Sequence, residues 1–419
     1  MPLDTTSPGP DAFLLATAIE LELTPRDRRV AIKRYAAIQD HLQKAEGPLA
    51  PFLEDAWIYP QGSMAIGTTI VDGATDDRYD LDAILEFDRP AGWTPRQILD
   101  EAERVFARFP DVQKVVRCTR CIQLQFAFMH LDVTPMDPDT APRPDRVGTI
   151  YHSPDRDRDD LFSVNPYGFA EWFKSRIVFP TTVFQDTANA IRARVQKDRL
   201  PSMQIMADVN QDDLPDPVAP WRDAPQVVAL KLLKRYLNLR YANRDEKRPI
   251  SVYLSKIAAE TPPSPFGLCA QLETLAGELY QRMQVAANTG LMPRECNPAH
   301  PRENFNDRWP KSASQARLFQ ADLVHLQKEL ARARVSDVGE IKAIFEKLFG
   351  ERVTRRAIED YAGQFGGEPA KSAFERGKGF VASPAIVAPT GAAAGISRAP
   401  AHNFHIGSYR GLVRPRGKG

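Results

Sequence analysis

An α+β protein of two lobes followed by a C-terminal tail is what this sequence predicts, on three observations. Two strand-like segments carry carboxylates, Asp80 and Asp82 in the first and Asp132 in the second. Helical periodicity takes over after a Pro/Asp-rich stretch, Asp208 to Pro225. From about Gly366 the composition changes to Ala, Gly, Pro and Ser with scattered Arg and Lys, which reads as a flexible tail. The expected boundaries are an α/β lobe with a long N-terminal helix over 1–207, a helical lobe over 208–365 and the tail over 366–419. A chain of 419 residues exceeds one ordinary core, and a 43% hydrophobic fraction supports a globular body.

The elements follow in order. After a polar start, Thr24 and Pro25 suit the N-cap and first position of a helix running to about Ala45, with Val30, Ile32, Ala36, Ile38 and Leu42 as its apolar face. Pro95 to Phe109 reads as a helix between the two acid-bearing strands. Cys121 to Val133 is the best strand pattern in the chain, with Asp132 near its end and Pro135 closing it. From Pro135 to Asp160 the density of Pro, Asp and Arg reads as loops around a short strand at Val147 to Tyr151. In the second lobe, Pro225 to Tyr241 places Leu230, Leu233 and Leu237 on one helical face, and Lys231 and Lys234 on another. Asp337 and Glu340 cap a later helix that ends before Gly350.

The chemistry lies in Gln61-Gly62-Ser63, Asp80-x-Asp82 and Asp132 taken together. Strand alternation puts Asp80 and Asp82 on one face, where two half-buried acids repel each other unless a cation lies between them. Two Mg²⁺ ions, with Mn²⁺ as the alternative, answer that need: they take a few carboxylates plus substrate phosphates and clamp an in-line displacement. Glycine at 62 lets the backbone approach a phosphate, and Ser63, at a turn into a short helix, offers hydroxyl and amide to it. Gln61 either touches phosphate or braces the turn. This joint pattern reads as nucleotidyl transfer.

At these residues the chain resembles the polymerase-beta-like nucleotidyltransferases, and within them the bacterial CD-NTases. The resemblance extends from about residue 20 to 350. It takes in the helix from Leu23 to Leu42, Asn165-Pro166-Tyr167-Gly168-Phe169, Leu232 to Tyr236, Arg248-Pro249-Ile250-Ser251 and, more weakly, Asn297-Pro298 with Glu303 to Trp309. It implies a two-lobed enzyme with nucleotides in the cleft. Asp80, Asp82 and Asp132 are then the catalytic metal ligands, Asp132 the proton acceptor, and Lys234 and Ser251 contacts of the donor phosphates. Lys231 could occupy the place of Lys234, which would then be a solvated helix face. Tyr167 and Phe169 either stack on a base or pack between lobes. The resemblance further implies that NTPs, purines by default, are joined into a cyclic di- or trinucleotide that activates a separate effector in antiphage defence. In some relatives a ubiquitin-activation-like partner conjugates the C-terminal residue, here Gly419.

Bulk properties weigh against other classes. A formal net charge of +1 gives no support to nucleic-acid activation or to the rival reading, a terminal nucleotidyltransferase acting on RNA. An inactive nucleotide-binding scaffold, the other alternative, would be favoured by a missing acid, and all three are present. No basic segment precedes an apolar N-terminal core, and no run approaches a membrane span, so a cytosolic protein without membrane attachment is expected. Four cysteines indicate reduced thiols. Cys118-x-x-Cys121 suggests zinc only if a local turn interrupts the strand, because a strand sends the two side chains to opposite faces.

Overall fold

The computed structural model describes residues 9–70, 79–127, 129–139, 146–155, 158–199, 220–365, 374–375 and 379–380. It opens on α1 (Pro10–Glu20), whose residues Phe13 to Glu20 are all buried. That helix is absent from the sequence expectation. Its segment is apolar on every side, so no face-to-face contrast marks it, and such a helix belongs inside a core.

Next comes α2 (Pro25–Leu42), started by a capping box in which Thr24 and Asp27 satisfy each other's backbone N–H. Its buried positions are Ala31, Tyr35, Ile38 and Leu42, whereas Val30 and Ile32 are exposed. The expected face is therefore turned, because polar groups share in the burial. Gln39 donates to Ala56 O at 2.7 Å and accepts from Ile58 N at 3.2 Å, and Tyr35 donates to Asp82 O at 3.3 Å. A turn of helix, α3 (Ala50–Leu53), precedes β1 (Trp57–Gln61) and the single-turn helix α4 (Gly62–Ala65). There follow β2 (Tyr79–Glu86), α5 (Pro95–Phe106), β3 (Lys114–Arg117), β4 (Ile122–Gln125), β5 (Met129–Pro138), β6 (Gly148–Asp155) and β7 (Arg158–Val164).

These seven strands form one sheet in the order β1-β2-β5-β4-β3, with β6 and β7 continuing from the far end of β5. Only β2 and β5 pair in parallel. The single strand expected from Cys121 to Val133 is two strands joined by a turn. Pro135 does not end β5: it falls between Val133, the last residue paired with β4, and Met136, the first paired with β6. A missing N–H is harmless in that gap. The short strand expected at Val147 to Tyr151 is β6, and where a loop was expected after it, β7 pairs back onto β6 as a hairpin. Polar residues along β7, Arg158 to Asp160, belong to an edge strand and obscure its pattern.

Beyond the sheet the chain is helical: α6 (Pro166–Arg176), α7 (Thr182–Arg199), α8 (Pro225–Tyr241), α9 (Ser251–Glu260) and α10 (Leu268–Thr289). A small hairpin, β8 (Cys296–Asn297) and β9 (His300–Asn304), precedes α11 (Ala313–Ala333), α12 (Val338–Phe349) and α13 (Glu351–Phe365). Asp337 caps α12 by accepting from Glu340 N at 2.9 Å.

Two main cores result. One lies between a sheet face (Tyr79, Leu81, Ala83, Leu85, Leu131, Val133) and α2 and α5. The other is helical and centred on α8, α10 and α11. Its members include residues of α1, α6 and α7, so segments before residue 208 help to build it. The expected tail and Gly419 lie outside the described residues, apart from a two-residue ladder between Phe374–Glu375 and Gly379–Phe380.

Candidate active site

The sheet face opposite the α2 and α5 core carries the acids. Asp82 is the direct parallel partner of Asp132 and the antiparallel partner of Gln61, and Asp132 is in turn opposite Gln123. Directly paired residues share a face, so Gln61, Asp82, Asp132 and Gln123 form one polar row across four strands. Adjacent strands lie about 4.8 Å apart, which brings the two carboxylates side by side. One step along, Asp80 pairs with His130, whose Nδ1 lies 3.6 Å from the Asp80 carboxylate.

Two of the three acids are strained electrostatically. Burial, and then the neighbouring Asp132 carboxylate, pushes the Asp82 carboxyl up to about 6, against the pull of Lys234 and Arg248. Burial also raises Asp132, opposed by hydrogen bonds from Gln123 and Cys121 and by nearby His130. Gln123 donates to Asp132 at 3.0 Å, and Gln125 donates to Gln123 at 2.7 Å, so β4 orients the third acid. Among the described residues no three His, Cys, Asp or Glu side chains are gathered into a preformed metal cage.

Over this row sits the Gly-Ser turn. Gly62 has φ +55°, and a Cβ there would lie 2.4 Å from the Asp82 Oδ2. Only glycine allows the turn to rest against the carboxylate. Gln61 braces the turn from below, donating to Thr134 Oγ1 at 3.4 Å. Ser63 Oγ accepts from the Thr69 hydroxyl at 3.1 Å, and Ser63 O from Thr68 N at 2.9 Å.

The helical core closes the site from above. Lys234 on α8 is buried and donates to Thr68 O at 3.0 Å, with its charge beside Asp82. Lys231 is buried elsewhere: it donates to Glu22 at 2.6 Å in a network where Arg192 also binds Glu22 and Asp223. The two lysines thus serve different partners, and neither lies on a solvated face. Ser251 is the first residue of α9, which packs against α4. Arg248 bonds Asn238 and bears on Asp82, a placement the sequence reading leaves unassigned.

The Asn165 segment is a joint between the cores. Asn165 caps α6 by accepting from Gly168 N at 2.7 Å. Its N–H donates to Glu303 at 2.9 Å, and Asn297 donates to Asn165 O at 3.0 Å and Glu303 at 2.7 Å. Phe169 is buried against Phe305, with ring centroids 5.0 Å apart, which selects packing over base stacking for that residue. Tyr167 sits edge-on to Tyr59 and under the Arg146 guanidinium.

Cys118 and Cys121 overturn the strand expectation. Arg117 pairs with Ile122, and Cys118 N donates to Cys121 O at 2.8 Å, so the two cysteines face each other across a tight hairpin turn. Both are reduced and partly exposed. A hydrogen bond from Cys121 pushes the Cys118 thiol down to about 7, while the Cys121 thiol is raised by that same contact and by burial.

Comparison with known proteins fits this geometry. The profile of the Second Messenger Oligonucleotide or Dinucleotide Synthetase domain matches residues 14–176. The cyclic dinucleotide synthase CdnG of Bradyrhizobium diazoefficiens is 33% identical over 363 residues, covering 85% of this chain and 84% of that protein. The chain is a CD-NTase. A c-di-GMP synthase of Roseivirga ehrenbergii is 23% identical over 316 residues, 72% of this CD-NTase and 74% of that protein. The structure of Bradyrhizobium diazoefficiens CdnG in complex with GTP superposes with a TM-score of 0.71 at 30% identity, over 85% of this CD-NTase and all of that chain. Escherichia coli MS115-1 CdnC with ATP shares the fold, with a TM-score of 0.51 at 15% identity over 81% of this CD-NTase and 98% of that chain. Among the described residues no helix is long and apolar enough to cross a membrane.

Proposed function

We propose that this CD-NTase joins two purine nucleoside triphosphates, GTP foremost, into a cyclic dinucleotide with release of pyrophosphate. The observation that carries the reading is Asp82 beside Asp132, beneath the Gly62-Ser63 turn and beside Lys234. Similarity to a cyclic dinucleotide synthase and to a c-di-GMP synthase supports the product class and the guanine preference.

The donor set suits Mg²⁺. It is all carboxylate oxygen, two of its members resist ionisation because they are buried and, for Asp82, because Asp132 lies beside it, and its incompleteness leaves room for phosphate and water. Asp80, Asp82 and Asp132 would hold the metal; when bound it supplies charge neutralisation to the attacking and leaving oxygens. The protein residues align the rest. Ser63 and the amides of its turn receive the donor phosphates, with Lys234 above them and Ser251 contributing from the start of α9, the helix that packs against α4. Gln123 and Cys121 hold Asp132 toward the acceptor ribose hydroxyl, whose proton it takes. Two such transfers close the ring. The product then serves a separate effector in antiphage defence, and Gly419 is the proposed conjugation point for a ubiquitin-activation-like partner.

Incubation with four labelled NTPs and Mg²⁺, followed by phosphatase, tests the reading. The expected result is a phosphatase-resistant guanine-containing product, lost in Asp82→Asn and Asp132→Asn. Extension of an added oligonucleotide with no resistant product would move the assignment to a terminal nucleotidyltransferase.

A further inference from the structure

We infer that Cys118 and Cys121 form an oxidisable dithiol that acts on the third acid, Asp132, so that their disulfide weakens the site. The inference rests on the assignment of Asp132 to the active site. Three features on the hairpin carry it.

First, the turn holds the pair at bridging distance. The ends of a four-residue turn closed by a backbone hydrogen bond lie within about 7 Å, and disulfides span Cα separations of about 4.4–6.8 Å. Because Val116 pairs with Gln123, Cys118 and Cys121, opposed two residues further on, share the face that carries Gln123 and Asp132. Both are free thiols.

Second, the turn is fixed from outside, so oxidation moves sulfur rather than backbone. Arg120, between the cysteines, donates to Asp307 at 2.6 Å and to His152 at 3.1 Å and lies 4.1 Å from the centre of the Phe162 ring. Thr119 O accepts from Ser153 N at 2.9 Å.

Third, the pair adjoins the site. Cys121 lies two residues before Gln123, on the sheet face that Gln123 shares with Asp132, and Gln123 donates to the Asp132 carboxylate at 3.0 Å. The Cys121 thiol is one of the groups that ease the ionisation of the buried Asp132. In the disulfide Cys121 has no S–H to offer, and its sulfur is drawn toward Cys118.

The chemistry balances with hydrogen peroxide as oxidant. Cys118 Sγ, as thiolate, attacks a peroxide oxygen; the O–O bond breaks, water leaves, and a sulfenic acid forms. Cys121 Sγ then attacks Cys118 Sγ, a second water leaves, and both thiol protons end in water. A dithiol reductant reverses the bond.

The test uses the full chain, treated with hydrogen peroxide or dithiothreitol and read in three ways: peptide mapping of the cross-link, product formation, and the rise in melting temperature on adding Mn²⁺. A Cys118–Cys121 cross-link should appear, and product formation should fall roughly tenfold, the usual effect of losing a partner of a metal-bound ligand, with the Mn²⁺ shift reduced. Dithiothreitol should restore both. Cys118→Ser, or Cys118→Ala if the serine variant folds poorly, should keep reduced-state activity and become insensitive to peroxide. The inference is overturned if peroxide modifies Cys296 without cross-linking the pair. It is also overturned if the cross-link forms while turnover and Mn²⁺ shift stay unchanged, or if the Cys118 variants lose activity as wild type does. Absence of product from the reduced protein would count against the proposed function instead, and the cross-link and Mn²⁺ shift would still decide the dithiol.

Discussion

Lys234, on the helical side, donates its ammonium at 3.0 Å to the carbonyl of Thr68, in the loop that follows the Gly-Ser turn. One buried side chain therefore joins the helical core to the segment carrying the Gly-Ser turn, and its charge bears on Asp82.

Lys234 and Lys231 should separate on substitution. If Lys234 makes the proposed charge-assisted contact to phosphate, Lys234→Ala should raise the NTP concentration needed for half-maximal turnover about tenfold or more. Lys231→Ala instead breaks a buried network in which burial raises the Glu22 carboxyl but Lys231 and Arg192 hold it down to about 2. Removing one partner of a buried pair costs about 3 kcal/mol or more. A Glu22 pKa below its unfolded value stabilises the fold above that value and is lost as pH falls through about 2, so Lys231→Ala should also flatten acid unfolding. Melting curves and NTP titrations on both variants check the division, which fails if their phenotypes exchange.

Asp82 gives the opposite pH dependence. Its folded pKa of about 6 lies above the ordinary value, so the metal-free fold is favoured while Asp82 is protonated and loses that stabilisation as pH rises through about 6. Metal-free wild type should melt lower at about pH 8 than at about pH 5, and Asp82→Asn should lessen the difference. Mg²⁺ at about pH 8 should raise the melting temperature of wild type and not of the variant. Parallel curves for the two proteins, with and without metal, would refute the assignment.

Gly62→Ala should sharply reduce synthesis with the fold retained. The new methyl would meet the Asp82 Oδ2 at 2.4 Å, at φ +55° where a side chain is already disfavoured. Either the turn or the carboxylate must shift, and loss of about 100-fold in turnover is expected, with circular dichroism unchanged. Turnover within a factor of about two of wild type would contradict the close approach.

Asn297→Ala tests the joint between the cores. It deletes bonds to Asn165 O and Glu303 and leaves a buried carboxyl, already raised by burial, with one donor fewer. A loss of about 2 kcal/mol in denaturant unfolding is expected. Asn297 touches neither the acids nor the turn, so the NTP requirement should move little.

Local pattern was enough for much of this. Asp80-x-Asp82 has to share a strand face, Thr24-Pro25 and Asp337 have to start helices, and Gly62-Ser63 opens α4 as its composition implies. Each depends only on backbone periodicity or on a side chain reaching its own next turn. What lay beyond reach was pairing between distant segments. That Asp82 meets Asp132 rather than a neighbour one residue away is set by strand register, and a slip of one residue would turn Asp132 to the other face. That Lys234 reaches Thr68 while Lys231 reaches Glu22 follows from how α8 is rotated against two different surfaces. Burial of α1 in the helical core, and a turn between Cys118 and Cys121 inside an apolar stretch, depend likewise on contacts the local sequence does not encode. Residue identity and local periodicity name the chemical groups of the candidate site. Which of them meet follows from long-range packing, because hydrogen bonding and desolvation depend on distance through space and not along the chain.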